Sequence, residues 1–236
     1  KSFLDYGFEV NEEQYVVDAF CTDLKNLFVA DELFVLGNKN YFQNPNSNII
    51  PVISFFNRLL NKNKIEVNNI NILQPIAANG VEAINSFFKE IKASYFKTEG
   101  TLLSEEENKR PLAFNCFNDL TYEQKIEKEL AASLNCNDFH VNLIHQPVVK
   151  ANYIIISFSS KKEINFEHFF KKYNYFYSDS LSAINIENED NVFVQNLKRK
   201  GNVYSLCLMF DNLRSGIASN TFKLFENLNL LLKNSC

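Results

Sequence analysis

Glycine is scarce in this 236-residue chain. The six, Gly7, Gly37, Gly80, Gly100, Gly201 and Gly216, stand too far apart to write a G-x-G-x-x-G turn or a G-x-x-x-x-G-K-[ST] loop. Any such phosphate cradle belongs to a segment upstream or does not exist. Methionine is scarcer still: Met209 is the only one, which sets the expectation that a segment precedes Lys1. The five cysteines (Cys21, Cys116, Cys136, Cys207, Cys236) are odd in number, widely spaced and without a C-x-x-C pair. That pattern fits reduced thiols better than a disulfide scaffold or a zinc site. His140, His145 and His168 form no H-x-H or H-x-x-x-H pair, so no structural metal is expected.

No apolar run approaches the roughly eighteen residues of a membrane span, and the first segment lacks the basic-then-apolar order of a signal peptide. A net charge of −4, with acids and bases interleaved, argues against a nucleic-acid surface. The expectation is a soluble cytoplasmic protein. With 46% hydrophobic and 22% charged residues the chain can bury one large core or two modest ones. Asparagine, at roughly one position in seven, accompanies abundant Lys, Phe and Ile, as AT-rich codons would produce, and is given no mechanistic weight.

Helical and strand periods alternate, which points to an α/β or α+β domain. A helix is expected from Asn48, capped by Asn46 or Asn48, with Pro51 in its first turn and Ile49, Ile50, Val52, Ile53, Phe56, Leu59 and Leu60 on a broad apolar face. A strand over about 64–76 precedes a second helix, whose Val81, Ile84, Phe87, Phe88 and Ile91 would lie on a sheet. Residues 97–110 read as a charged, solvated loop. Pro111–Asn115 reads as a short strand, and Thr121 with Gln124 as a capping box before a helix to about Leu134. Two strands broken around Pro147 fill Val141–Phe158, and their continuous apolar runs suit a sheet covered on both faces. A helix near 165–173, strands near 191–197 and 202–210, and a closing helix with Ile217, Thr221, Leu224, Phe225, Leu228, Leu231 and Leu232 complete the pattern.

Several strings, in order, resemble one family. They are Asn44-Pro45-Asn46-Ser47, Gln74 before a turn ending at Gly80, Pro111-Leu112-Ala113-Phe114-Asn115, the Pro147-Val148 break, and Asp211-Asn212-Leu213-Arg214-Ser215-Gly216. They resemble the N-P-N-C, Y-Q-x-x-S-G-x-G, A-F-N, R-x-P-V-x-x-G-H-S and D-N-L-R-K-G-A-A motifs of the aspartate-β-semialdehyde dehydrogenase family, over nearly the whole chain. The fold implied is α+β (α/β): a mixed sheet with helices on one face, like the carboxy-terminal dimerisation domain of glyceraldehyde-3-phosphate dehydrogenase, with the tail of a Rossmann domain. Residues 1–47 would be that tail, 48–210 the dimerisation and catalytic-type domain, and 211–236 a segment returning to the nucleotide-binding part.

The resemblance also implies a site and its erosion. The family's nucleophilic cysteine, suited to forming a thiohemiacetal or thioester, corresponds to Ser47, and the histidine base of G-H-S corresponds to Asn152, an amide that takes no proton. The arginine that clamps the substrate carboxylate corresponds to His145, and an arginine that receives the substrate phosphate corresponds to Glu9. Gln74 is kept. Lys125 matches the lysine of an E-E-x-K-x-x-x-E helix, with Tyr122 and Glu123 in its first two acid positions. Asn212 falls in a segment that lies near the cofactor in the family. Without the resemblance, Ser47 reads as a helix cap, Gln74 as a turn amide, Lys125 as a solvated helix lysine and His145 as a core histidine.

The pattern resembles the Usg-like branch, catalytically incomplete relatives of the dehydrogenase. The expectation is a non-catalytic homologue that keeps the fold and a homodimer. The alternatives are an active NADP-dependent aspartate-semialdehyde dehydrogenase acting by acyl-phosphate reduction, and a scaffold or regulatory partner of a genuine dehydrogenase. No cofactor is expected in the chain itself; NADP would require the upstream domain.

Overall fold

The apolar face of residues 49–60 forms α1 (Ile50–Leu60), which buries Ile50, Pro51, Val52, Ile53, Phe55, Phe56 and Leu59. So wide a buried stripe needs a sheet beneath it and helices beside it. The computed structural model describes residues 16–18, 29–30, 41–60, 64–96 and 110–234, with the side chains of 16–18, 41 and 228–234 left aside. Among these, β1 (Val16–Asp18) pairs in parallel with β2 (Tyr41–Gln43), which leads into α1.

The main sheet has seven strands in the order β4 (Phe117–Asn118), β5 (His140–His145), β3 (Ile65–Gln74), β6 (Asn152–Ser160), β9 (Val203–Phe210), β8 (Phe193–Lys200) and β7 (Phe176–Tyr177). It is mixed: β3 with β5 and β7 with β8 run parallel, and the other pairs are antiparallel. Side chains alternate across it. Asn152, Ile154, Ile156 and Phe158 of β6 face inward beside Ile70, Ile72 and Gln74 of β3 and Leu206, Leu208 and Phe210 of β9. The alternation of β3 breaks at Asn68 and Asn69, where the register against β6 shifts between Val67 and Asn69, so Val67 and Ile70 face inward three positions apart.

The helices α3 (Leu120–Leu134) and α4 (Phe166–Tyr173) join α1 in the core on that inner face. Its centre is aromatic. The Phe55 ring meets Phe158, Phe169 and Tyr175 edge-on at 6.2, 5.4 and 5.5 Å, and Phe158 stacks on Tyr204 at 5.7 Å. The outer face is polar at one end, where Asn142 donates to Asn71 at 2.8 Å. At the other end it is apolar, with Leu73, Ile144, Tyr153 and Ile155, and the short α5 (Ala183–Ile186) packs there beside Met209.

Three expectations need correction. α2 (Val81–Phe96) does not lie on the sheet: only Phe87 and Ala93 are buried, in a satellite cluster with Ile76 and Ala113, while Val81, Phe88, Tyr95 and Phe96 are exposed. Pro111–Asn115 is a turn rather than a strand. Phe114 there has φ 57°, Glu90 of α2 accepts from the amides of Leu112 and Ala113 at 2.7 Å each, and the strand follows at Phe117. Asp119 rather than Thr121 caps α3, accepting from the Tyr122 amide at 3.0 Å. β7, α5 and the 3-10 turn Ile76–Asn79 carry no periodic signal because each is shorter than the period that would reveal it. The closing helix forms as α6 (Ile217–Asn234), and among the described residues no helix is long and apolar enough to cross a membrane.

The one-sided core makes a direct prediction. Phe55→Ala, at a fully buried ring, should cost about 3–5 kcal/mol in urea denaturation. Phe88→Ala, at a ring 54% exposed, should cost less than about 1 kcal/mol. Comparable losses would contradict the placement of α2.

Candidate functional site

Asn44-Pro45-Asn46-Ser47-Asn48 carries the chain from β2 into α1, and its asparagines do the turning. Asn46 Oδ1 accepts from the Asn48 amide at 3.0 Å and its carbonyl from the Ile49 amide at 3.0 Å, so Asn46 makes the turn that leads into α1, whose first helical bond runs from the Ile53 amide to the Ile49 carbonyl. The expected cap at Asn46, Ser47 or Asn48 does not form, because the helix starts only at Ile50. Burial of α1 sets this turn over one end of the sheet. There the carboxy ends of β3, β5 and β9 meet the amino end of β6: Gln74 pairs with His145, and Asn152 with Phe210.

Asn48, Gln74 and Asn152 are fully buried and form one amide chain. Asn152 Nδ2 donates to Asn48 Oδ1 at 3.1 Å, and Asn48 Nδ2 donates to Gln74 Oε1 at 2.5 Å. Gln74 Nε2 then donates to Asn79 Oδ1 at 3.0 Å. The chain ends on His145: Asn79 Nδ2 and Gln74 Nε2 lie 3.3 and 3.5 Å from its Nδ1. Two amide donors make Nδ1 the acceptor and leave the proton on Nε2. Burial holds His145 below the ordinary imidazole range, with Arg110 adding to that and Asp119 opposing it, and Phe117 stacks on the ring at 4.7 Å. The imidazole is therefore neutral.

Of the other implied residues, Ser47 is half-buried against Gly216: a Cβ on that glycine would lie 2.9 Å from Ser47 Cβ and 2.3 Å from the Asn212 carbonyl oxygen. No larger residue fits there without displacing the turn. Asn212 is buried two residues beyond β9, on a loop organised by Asp211, whose carboxylate accepts from the amides of Asn188 and Leu213 at 2.7 and 2.9 Å. The structure thus brings Ser47, Gln74, His145, Asn152 and Asn212 to one end of the sheet. Lys125 stays outside the amide chain, exposed and 3.9 Å from Glu129. Glu9 lies outside the described residues.

Glu129 is a residue the sequence reading missed. It is 1% exposed, its carboxylate accepts from the Asn46 amide at 2.7 Å, and burial raises its pKa against that bond and Lys125. Tyr122 also braces the turn, accepting from Asn46 Nδ2 at 2.5 Å. The available signal for Glu129 was the last acid of E-E-x-K-x-x-x-E, four residues after Lys125. Asn48 and Asn79 had none beyond a capping role, because their partners are distant in sequence.

Chemically the site is amide-rich, and the carboxylate that meets its turn, Glu129, is engaged by the Asn46 amide. The Ser47 hydroxyl has no hydrogen-bond partner among the described residues, so no base is placed to take its proton. His145 Nε2, Asn152 Oδ1 and Asn212 Oδ1 are buried without partners: one donor and two acceptors at one end of the sheet. Ala151, just before Asn152, holds φ 74° while buried, a left-handed conformation that glycine adopts freely and alanine does not. That is the position matching the glycine of G-H-S. Among the described residues no group of three or more His, Cys, Asp or Glu side chains could hold a metal ion.

No family model matches the sequence, and no curated protein matches it. Solved structures do share the fold. A probable aspartate-semialdehyde dehydrogenase from Pseudomonas aeruginosa aligns with a TM-score of 0.72 at 16% identity, over 94% of this chain and 73% of that one. Aspartate semialdehyde dehydrogenase II from Vibrio cholerae aligns at 0.70 and 18%, over 82% and 63%; the same enzyme complexed with ASA aligns at 0.69 and 17%, over 81% and 62%. The chain therefore spans less than two thirds of the Vibrio enzyme. At these identities the likeness is one of fold: the mixed sheet with its helices is that of the aspartate-semialdehyde dehydrogenases.

His145 gives the site a pH signature. Its folded pKa lies below the ordinary 6.5, so as the pH falls the unfolded chain takes up the proton first. The stability from the neutral ring is present above that value and lost as the pH falls through the folded one. Between pH 7 and pH 5 the melting temperature should fall further in the wild type than in His145→Gln. Parallel profiles would refute the buried neutral ring.

Proposed function

We propose that this protein is a non-catalytic homologue of aspartate-semialdehyde dehydrogenase, of the Usg-like incomplete kind, which retains the family's fold and its self-association. The observation that carries this reading is the amide chain Asn152–Asn48–Gln74 standing beside a Ser47 hydroxyl that no base contacts. A serine hydroxyl is far less acidic than a thiol and needs a positioned acceptor to attack a carbonyl at neutral pH. The neighbouring amides supply none. A neutral His145 offers one hydrogen-bond donor where a charged, bidentate clamp is needed for a carboxylate. Glu9, at the position of the phosphate-receiving arginine, adds negative charge where positive is required.

In this reading residues 1–47 are the tail of a nucleotide-binding domain, 48–210 the dimerisation domain and 211–236 the segment that returns to the nucleotide-binding part. NADP binding would rest on a glycine-rich turn outside these residues. Within them, Asn212 Oδ1, a buried acceptor without a partner, fits a carboxamide N–H of such a cofactor. The second reading, an active NADP-dependent dehydrogenase, draws on that acceptor and on the retained Gln74.

An assay separates the two. The full-length protein, given aspartate semialdehyde, phosphate and NADP, should reduce NADP at less than about one turnover per minute, unchanged in Ser47→Ala. Faster turnover that vanishes in Ser47→Ala would establish the enzyme instead.

Self-association would use the apolar end of the outer sheet face, where Leu73, Ile144, Tyr153 and Ile155 lie side by side, and a face of this kind buries itself against a twin. The same face would serve a mixed dimer with a genuine dehydrogenase. In sedimentation the wild type should be a dimer and Ile155→Glu a folded monomer. A wild type that stays monomeric at about 100 μM would rule out the homodimer.

A further inference from the structure

A cleft of about 280 Å3 opens between α1 and α6, and its lining includes none of Ser47, Gln74, His145 and Asn152. Ser54 and Arg58 reach it from α1, one turn apart, and Ser215, Ser219 and Lys223 line it from the entry and first turns of α6, again at four-residue steps. Two cations therefore face one small space. Among the described residues neither Arg58 nor Lys223 is in an ion pair, and the lining carboxylate, Asp190, lies 3.8 Å from Arg214 Nε.

Arg58 is held by aromatic rings. Its guanidinium carbon lies 5.0 Å from the Tyr173 ring centroid and 5.6 Å from that of Tyr175, and Nη1 donates to the Tyr173 carbonyl and the Tyr175 hydroxyl at 3.5 and 3.3 Å. The Tyr175 ring also stacks on Phe169 at 5.7 Å. The aromatic surface beside the cleft is thus engaged in fixing a cation. Lys223 is exposed, but partial burial at the cleft, and then the Arg58 charge, hold its pKa below the ordinary lysine range, against Asp190 and Glu226.

We propose that this cleft binds a small phosphorylated molecule, its phosphoryl group received by Arg58 and Lys223 together with the Ser54 and Ser219 hydroxyls. Two like charges that line one cleft repel each other, Asp190 offsets only part of that charge, and a bound dianion would relieve the rest. A phosphoryl group supplies that charge and the acceptor oxygens that guanidinium, ammonium and hydroxyl donors require. The volume, at the lower limit of ligand pockets, suits a phosphorylated metabolite better than a nucleotide.

Calorimetric titration of the full chain tests this, with glycerol 3-phosphate, inorganic phosphate and AMP as probes and ionic strength matched with sodium chloride. Glycerol 3-phosphate and phosphate should bind saturably at one site. Lys223→Gln should weaken both by about tenfold or more, Lys223→Arg should stay within about threefold of the wild type, and Ser47→Ala should change nothing. The melting temperature without ligand verifies that each variant is folded. Absence of saturable binding up to about 10 mM, or equal affinity in Lys223→Gln, would overturn the proposal. AMP binding more than about tenfold tighter than glycerol 3-phosphate would overturn the size class in favour of a nucleotide.

Discussion

The side chain of Asn48 is the joint on which the arrangement depends. It accepts from Asn152 and donates to Gln74, and all three are sealed from water. In that setting each amide costs free energy unless both its ends are satisfied. One side chain therefore fixes the start of α1 against β3 and β6 together. The turn before it is tied from a second direction by Glu129 and Tyr122 of α3, and from a third by Asn44, which accepts from Asn220 of α6 at 2.7 Å and donates to Thr221 at 2.9 Å. Four elements, β3, β6, α3 and α6, are locked to the five-residue turn Asn44–Asn48 that carries Ser47.

That lock stands on an apolar base. The inward rows of β3, β6 and β9 meet the phenylalanines of α1 and α4, and this non-directional burial sets how deep α1 lies and which end of it reaches the sheet terminus. The hydrogen bonds then choose one orientation among those that burial allows. Packing and polar specificity act in series, and buried Ala151, next to Asn152 of the amide chain, keeps a conformation ordinarily left to glycine.

Charge is distributed in the opposite sense. The sheet end is built mainly of amides, with an imidazole and a hydroxyl, and the carboxylates near it, Glu129 and Asp211, are bonded to backbone amides. The cleft between α1 and α6 brings together two cations, Arg58 and Lys223, that form no ion pair among the described residues, with Asp190 also in its lining. The two sites thus differ in charge, and α1 borders both.

Long periodic segments were legible in the sequence because burial writes itself as period: α1, β3, α3, β5, β6, α4, β8, β9 and α6 all fall near the positions their apolar spacing indicates. Four of the residues that the string resemblance singled out, Ser47, Gln74, His145 and Asn152, lie at one end of the sheet. The Asp119 cap, the turn at Phe114 and the exposed flank of α2 were not legible, since each is decided by a partner elsewhere in the chain. Local composition determined which segments could be helix or strand, which chemistries the glycines and cysteines could not build, and that a serine and an asparagine stand where a thiol and an imidazole are implied. Only the tertiary structure decided that Asn152 is bonded into an amide chain, that Ser47 lies against Gly216 without a base, and that Arg58 and Lys223 face the same cleft. Those are relations between residues tens to more than a hundred positions apart, and a pairwise distance is set by how the core closes rather than by any residue's own preference.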